Sequence, residues 1–138
     1  MTAESRPIDE LTGVVPDWIT TRPDASVRVA VGYPDPTRLV ITVSGEVDAA
    51  SIDRLQETVW PRLSASVRSV VVDLTAVGFL GIPGLQLLTQ AHMRCQQRGI
   101  GLRLVVAGHE VAHALHISGI DALVDCYPTL VEALDRDR

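Results

Sequence analysis

The 138-residue chain has the length of a single domain, and its 46% hydrophobic and 21% charged residues exclude a disordered or fibrous protein. A net charge of −5, without any basic stripe that carries interleaved aromatic residues, argues against direct nucleic-acid binding. No apolar run approaches the roughly 18 residues of a membrane span, and the acidic, polar N-terminus is not a signal peptide, so we expect a cytoplasmic protein that does not contact a membrane.

Residues 1–25 are predicted to form a loosely ordered leader, because they show neither a strand period nor a helix period. A short apolar patch at 11–19 indicates one local anchor around Trp18. The domain itself is expected to occupy residues 26–136. Its apolar residues are mainly Val, Leu, Ile and Ala, with only 4% aromatic residues, and this is typical of a sheet covered by helices.

The elements predicted in residues 26–136 alternate between strands and helices. Two alternating apolar runs around a turn at 33–37 predict a hairpin. The further predicted elements are a helix capped by Ser51 and ended by Pro61, a buried strand at 69–74, a loop at 75–83, a helix at 84–98, a strand at 102–106, a helix at 109–118, a strand at 123–127 and a helix at 128–134. This order predicts an α/β fold with a four- or five-stranded mixed sheet and about four helices, mainly over one face.

Three short motifs follow one another along these elements. Residues 43–48 read Val-Ser-Gly-Glu-Val-Asp, residues 71–80 read Val-Val-Asp-Leu-Thr-Ala-Val-Gly-Phe-Leu, and residues 117–120 read Ile-Ser-Gly-Ile. In this order, and over about residues 27–134, the chain resembles the STAS domain of bacterial anti-sigma-factor antagonists. The resemblance implies a protein that binds an anti-sigma factor of serine-kinase fold and frees a sigma factor, without catalysis and without a cofactor.

The resemblance fails at the residue that such proteins use as a switch. Members of the family usually carry Asp-Ser-Ser-Gly-Leu directly after the Phe-Leu or Phe-Met pair that ends the second motif, and the partner phosphorylates the first serine. Here residues 81–85 read Gly-Ile-Pro-Gly-Leu, so the acceptor position is Ile82, which has no hydroxyl. Pro83 fits the first turn of a helix, where no backbone donor is needed. A phosphate would add a charge of about −2 at the start of this helix, and that switch cannot operate at this position.

Two functional hypotheses follow from the altered motif. One is an antagonist that serine phosphorylation at the usual site does not control. The other is a non-switching STAS module that serves as a scaffold in a signalling or stress complex, with self-association. The apolar patch that this loop would expose is of the kind that anchors a partner. The predicted contact residues are Glu46, Asp48, Phe79, Leu80, Gly81, Ile82, Pro83, Gly84 and Leu85.

Several polar residues near this loop have simpler interpretations than chemistry. Glu46 and Asp48 are expected to cap or position backbone, or to contact the partner, rather than to act as an acid–base pair. Ser44 and Thr75 are the nearest substitute phosphate acceptors, although each fits a strand-end hydrogen-bonding role. The glycines at 78, 81 and 84 are predicted turn residues, because no Lys-Ser or Lys-Thr pair completes a phosphate-binding loop.

A literal zinc-protease pattern, H-E-x-x-H, occupies residues 109–113, with His116 as a third candidate ligand. On a helix, His109, His113 and His116 share one face, and the apolar residues lie on the other. A helix that packs on the sheet through its apolar face would direct the histidines to water. We therefore predict that the protein has no metal site and is not an enzyme. Metal binding through His109 and His113, or a metal-dependent enzyme that also uses Glu110, is a distant alternative.

The two cysteines form neither a zinc-type cluster nor a dense disulfide framework, which agrees with a reducing compartment. Cys95 and Cys126 are a candidate redox pair, because the second helix and the last strand can lie close to each other. Buried, inert thiols are the commoner case for such residues.

Overall fold

The computed structural model describes residues 27–64 and 66–135, and the predicted leader with its anchor at Trp18 lies outside this part of the chain. Along the described residues, strands and helices alternate as the sequence predicts. The elements are β1 (Val27–Asp35), β2 (Arg38–Val47), α1 (Ile52–Val59), a 3-10 turn (Trp60–Arg62), β3 (Ser69–Leu80), α2 (Ile82–Arg98), β4 (Gly101–Val105), α3 (His109–Ser118), α4 (Ile120–Leu123), β5 (Asp125–Tyr127) and α5 (Leu130–Asp135).

The five strands form one sheet in the spatial order β1-β2-β3-β4-β5. β1 and β2 are antiparallel and joined by the predicted hairpin, whereas β2 to β5 pair in parallel. Parallel neighbours need a crossover, and each crossover here carries helix. The predicted α/β fold with a mixed sheet is therefore confirmed.

The larger core lies between one face of the sheet and helices α1 to α4, and it includes Ile41, Val72, Leu104, Leu115 and Ile120. A smaller core on the opposite face joins Val40, Val71, Val105 and Ala133, so that α5 covers this side. Because β2, β3 and β4 are covered on both faces, they are apolar at successive positions. The helices lie mainly over one face, as predicted.

The predicted loop at 75–83 is wrong, because β3 continues to Leu80. Its pairing register with β2 shifts twice, beside residues 42–46 of β2, and each shift inserts one extra β3 residue. Such a bulge changes which side chains face the core. As a result Leu74, Val77 and Leu80 all point into the larger core at a spacing of three residues, a pattern that matches neither a regular strand nor a helix.

Four other predicted elements also differ from the structure in their boundaries. The helix predicted at 84–98 begins at Ile82, because Gly81 in an extended conformation is its N-cap and Pro83 lies in its first turn. The strand predicted at 123–127 begins at Asp125, since the short helix α4 follows Gly119 directly. β4 spans Gly101–Val105 rather than 102–106, and α5 begins at Leu130 rather than at 128.

The longest helix in the described part is α2, with 17 residues. It has a left-handed C-cap at Gly99, whose φ of 71° suits a residue without a Cβ. Within residues 27–64 and 66–135, no helix is long and apolar enough to cross a membrane.

Candidate functional site

The first two sequence motifs meet where β2 and β3 end and α2 begins. Glu46 of β2 pairs with Phe79 of β3, and Val47 pairs with Leu80. The N–H of Gly81 then donates to the carbonyl of Val47 over 2.8 Å. This bond holds the N-terminus of α2 at the end of β2, so the predicted contact segments around residues 46 and 82 form one continuous surface.

Two exposed apolar side chains mark this surface, which we call the β3–α2 surface and define as Glu46, Phe79, Gly81, Ile82 and Pro83. Phe79 is 49% exposed, and Ile82, the first residue of α2, is 70% exposed. The Phe79 ring lies against Gly81, where an added Cβ would be 3.0 Å from the ring atom Cε2. Ile82 thus presents an exposed apolar side chain next to the Phe79 ring.

Two residues predicted to contact a partner are instead part of the interior. Leu80 and Gly84 are both buried, so their assignment to the contact surface is wrong. A Cβ on Gly84 would be 2.5 Å from Leu80 Cδ1 and 2.7 Å from Val47 Cγ1, closer than such atoms approach. Gly84 therefore allows α2 to pack directly against the ends of β2 and β3. Leu85, half-buried one residue later, lines the neighbouring groove.

A compact hydrogen-bond network holds the connection between β2 and α1. The carboxylate of Asp48 accepts from the N–H groups of Ala50 and Ser51 at 3.0 and 3.1 Å, which confirms its predicted backbone role. The buried Ser51 hydroxyl donates to the carbonyl of Glu46 at 2.8 Å and accepts from the N–H of Asp48 at 3.0 Å. Ser51 is the N-cap of α1, but its side chain bonds to this connection rather than to the helix. The network leaves the Glu46 side chain exposed beside Phe79.

An open groove between α2 and the α3–α4 corner adjoins Ile82, with a volume of about 570 Å³. It brings the third sequence motif next to the start of α2. The groove is lined by Ile82, Leu85, Gln86, Thr89, Gln90, Ser118 and Ile120. Sequence reasoning missed this groove, although the uncharged residues at 82, 86 and 90 repeat every four positions along one face of α2.

The two substitute phosphate acceptors are placed differently in the structure. The N–H and hydroxyl of Thr75 both donate to Asp73 Oδ1, at 2.9 and 2.8 Å. Thr75 therefore has a hydrogen-bonding role, but the expected strand-end position is wrong, because Thr75 lies inside β3 at the first bulge. Ser44 is half-buried within β2, beside Ala76 of β3.

The histidines of the zinc-protease pattern lie on the solvent face of α3. His109, His113 and His116 are exposed, while Val111 and Leu115 face the core. His116 Nδ1 is 3.0 Å from Asp121 Oδ2 of α4. Among the residues that the structure describes, no group of three or more His, Cys, Asp or Glu side chains could hold a metal ion.

Both cysteines of the candidate redox pair are free thiols. Cys95 is buried on α2, and burial raises the pKa of its thiol to about 11. Cys126 is an exposed residue of β5, but its Sγ donates to the carbonyl oxygen of Val124 over 3.5 Å. Burial also raises the pKa of the Cys126 thiol, and the negative charges of Asp121 and Asp125 raise it further. Neither thiol is therefore activated as a nucleophile at neutral pH.

Comparisons with known proteins agree with this fold. A family model described as STAS domain matches residues 28–133. The anti-sigma-F factor antagonist RsfA of Mycobacterium tuberculosis is 28% identical over 117 residues, which cover 83% of this chain and 91% of that protein. The crystal structure of an anti-sigma factor antagonist from Mycobacterium paratuberculosis has a TM-score of 0.73 at 30% identity, over 80% of this chain and 93% of that one. SpoIIAA, an anti-sigma factor antagonist in its unphosphorylated form, shares the fold with a TM-score of 0.70 at 17% identity. The match covers 80% of this chain and 96% of that one.

Proposed function

Because the chain belongs to the STAS domain family, we propose that it is an anti-sigma-factor antagonist, which binds an anti-sigma factor and so frees a sigma factor. Relatives that bear this name in two Mycobacterium species support the proposal. The protein acts in the cytoplasm by binding rather than by catalysis. Its partner is an anti-sigma factor of serine-kinase fold, and release of the sigma factor follows from mass action between the two competing ligands.

The observation that carries the proposal is the exposure of Ile82 beside Phe79 on the β3–α2 surface. A few residues near the centre of an interface contribute most of its binding energy when the partner excludes water from them. Ile82 begins α2 at the position of the family's phosphorylated serine, so the surface is free of the usual control. Serine phosphorylation at this position does not regulate the protein.

The test is the affinity of the purified chain for a kinase-fold anti-sigma factor encoded in the same genome, measured by titration calorimetry. Replacing Ile82 with Glu places a charge in the apolar contact, and we expect affinity to fall by at least about 50-fold, as for a central interface residue. Met93→Glu is the matched control, because Met93 is 54% exposed and lies on the same helix away from its start. It should change affinity by less than about twofold.

Equal affinities of the Ile82→Glu and Met93→Glu variants for the anti-sigma factor would contradict the proposal, as would the absence of binding by the wild-type chain. Sedimentation velocity of the wild-type chain distinguishes the scaffold alternative. Formation of large assemblies by this chain alone, together with no binding to anti-sigma factors, would favour the scaffold function.

A further inference from the structure

The first described strand begins at the corner of the sheet that carries the β3–α2 surface. Val27 of β1 pairs with Gly45, and the next residue of β2, Glu46, pairs with Phe79. Neighbouring strands lie about 4.8 Å apart, so β1 begins two strand spacings, roughly 10 Å, from β3. The chain that precedes Val27 therefore joins the domain close to the exposed Phe79 and Ile82.

The preceding chain contains an apolar stretch that is long enough to reach this surface. Residues 11–19 read Leu-Thr-Gly-Val-Val-Pro-Asp-Trp-Ile and carry a single charge, at Asp17. The chain from Trp18 to Val27 advances nine residues, and an extended chain of this length spans roughly 30 Å. Trp18 and Ile19 can therefore reach Ile82 and the groove beside it.

The groove suits such a segment in its chemistry. Its seven lining residues are uncharged, with Ile82, Leu85 and Ile120 as the large apolar members. The glutamines at 86 and 90 add carbonyl oxygens that can accept a hydrogen bond from an indole N–H. An uncharged, partly apolar groove matches a segment that has five large apolar residues and one charge better than it matches a charged ligand.

We propose that residues 11–19 of the same chain dock on the β3–α2 surface and the adjoining groove, and that they compete there with the protein partner. Docking itself is independent of the proposed function, whereas its regulatory consequence rests on it. A tethered segment acts at an effective concentration in the millimolar range, so even weak docking lowers the affinity for a partner by about five- to tenfold. Displacement of the segment would then replace the missing phosphate as the means of control.

Quenching of tryptophan fluorescence tests docking without any partner. The chain contains two tryptophans, and Trp60→Phe in the full-length protein leaves Trp18 as the reporter. We expect acrylamide to quench Trp18 at least twofold less efficiently than it quenches a free peptide of residues 11–19. Ile82→Asp should remove this protection. The control Val131→Asp, an exposed apolar residue on α5 over the opposite face, should preserve it.

Quenching as efficient as that of the free peptide would overturn the proposal. So would equal protection in the Ile82→Asp and Val131→Asp variants, because Trp18 would then be covered elsewhere. Protection that rises with protein concentration would assign the surface to the segment of a second copy and would also overturn docking within one chain.

Amide hydrogen exchange gives a second measurement in a chain that keeps Trp60. We expect residues 82–90 to exchange faster in the Trp18→Ser variant than in the wild-type chain, and unchanged rates would contradict docking. Trp18→Ser should also raise the affinity for the anti-sigma factor five- to tenfold. If the partner binds neither chain, the proposed function fails while the quenching result still decides docking. If the anti-sigma factor binds the wild-type chain and the Trp18→Ser variant equally, the regulatory role of docking is overturned.

Discussion

Gly84 of α2 packs against Val47 of β2 with no space for a side chain between them. A Cβ at residue 84 would be 2.7 Å from Val47 Cγ1 and 2.5 Å from Leu80 Cδ1. The close approach is what places the first turn of α2, and with it Ile82, at the end of the two central strands. The glycine is therefore needed for packing, not for backbone conformation.

We expect Gly84→Ala to lower the free energy of unfolding by about 1–2 kcal/mol. Overpacking of a core costs about 1–3 kcal/mol, and the better helix propensity of alanine offsets roughly 0.5–1 kcal/mol of this. Gly78→Ala is the control, because a Cβ there meets nothing within 4 Å. Urea unfolding of both variants checks the prediction. Equal unfolding midpoints of the Gly84→Ala and Gly78→Ala variants would contradict it.

Ser51→Ala should destabilise the protein by about 1–3 kcal/mol, because it leaves the carbonyl of Glu46 and the N–H of Asp48 without the buried hydroxyl that now pairs with them. The exposed Ser66 provides the control, since its hydroxyl pairs with that of the exposed Ser64 at 3.1 Å. Ser66→Ala should change stability by less than about 0.5 kcal/mol. A similar small effect of Ser51→Ala in thermal unfolding would show that the network adds nothing.

Ile82→Ser should restore an acceptor for a kinase-fold anti-sigma factor. The residue is 70% exposed, so a serine hydroxyl there would be accessible. With ATP and the partner, we expect phosphate on residue 82 of the variant and no phosphate at this position of the wild-type chain, as measured by mass spectrometry. The phosphorylated variant should bind the partner at least about 50-fold more weakly, since the dianion would enter an apolar contact. An unmodified variant would show that the flanking Gly81 and Pro83 also exclude the kinase.

The two thiols should differ in their rates of alkylation. At pH 7 an alkylating reagent should modify Cys126, on an exposed residue, well before Cys95, which lies in the core. Equal rates of modification, measured by mass spectrometry, would contradict the burial of Cys95.

The raised pKa of Cys95 also predicts how stability depends on pH. Its folded-state pKa is raised by burial from the ordinary thiol value of 9.0 to about 11. The stabilisation that the protonated Cys95 thiol contributes is therefore complete below about pH 9 and is lost as the pH rises towards 11. Wild-type and Cys95→Ala chains should converge in unfolding free energy over this range. A constant difference between them would contradict the assigned pKa.

Much of the fold follows from local patterns. Alternating apolar residues in the hairpin predict β1 and β2, the helical spacing after Ser51 predicts α1, and Gly99 and Gly119 mark helix ends where they are observed. These signals work because they reflect burial on one face or a cap that needs no distant partner. The end of β3 could not be predicted in this way, because its bulges exist only in the pairing with β2.

The sequence by itself determined the family resemblance and the absence of a hydroxyl at Ile82, because both depend on which residues occur in which order. Only the tertiary structure decided which residues of the altered motif are exposed. It buries Leu80 and Gly84, exposes Phe79 and Ile82, and forms the groove by placing the α3–α4 corner beside α2. The physical reason is that exposure depends on strand register and helix packing between segments far apart in the chain, and no local pattern contains those contacts.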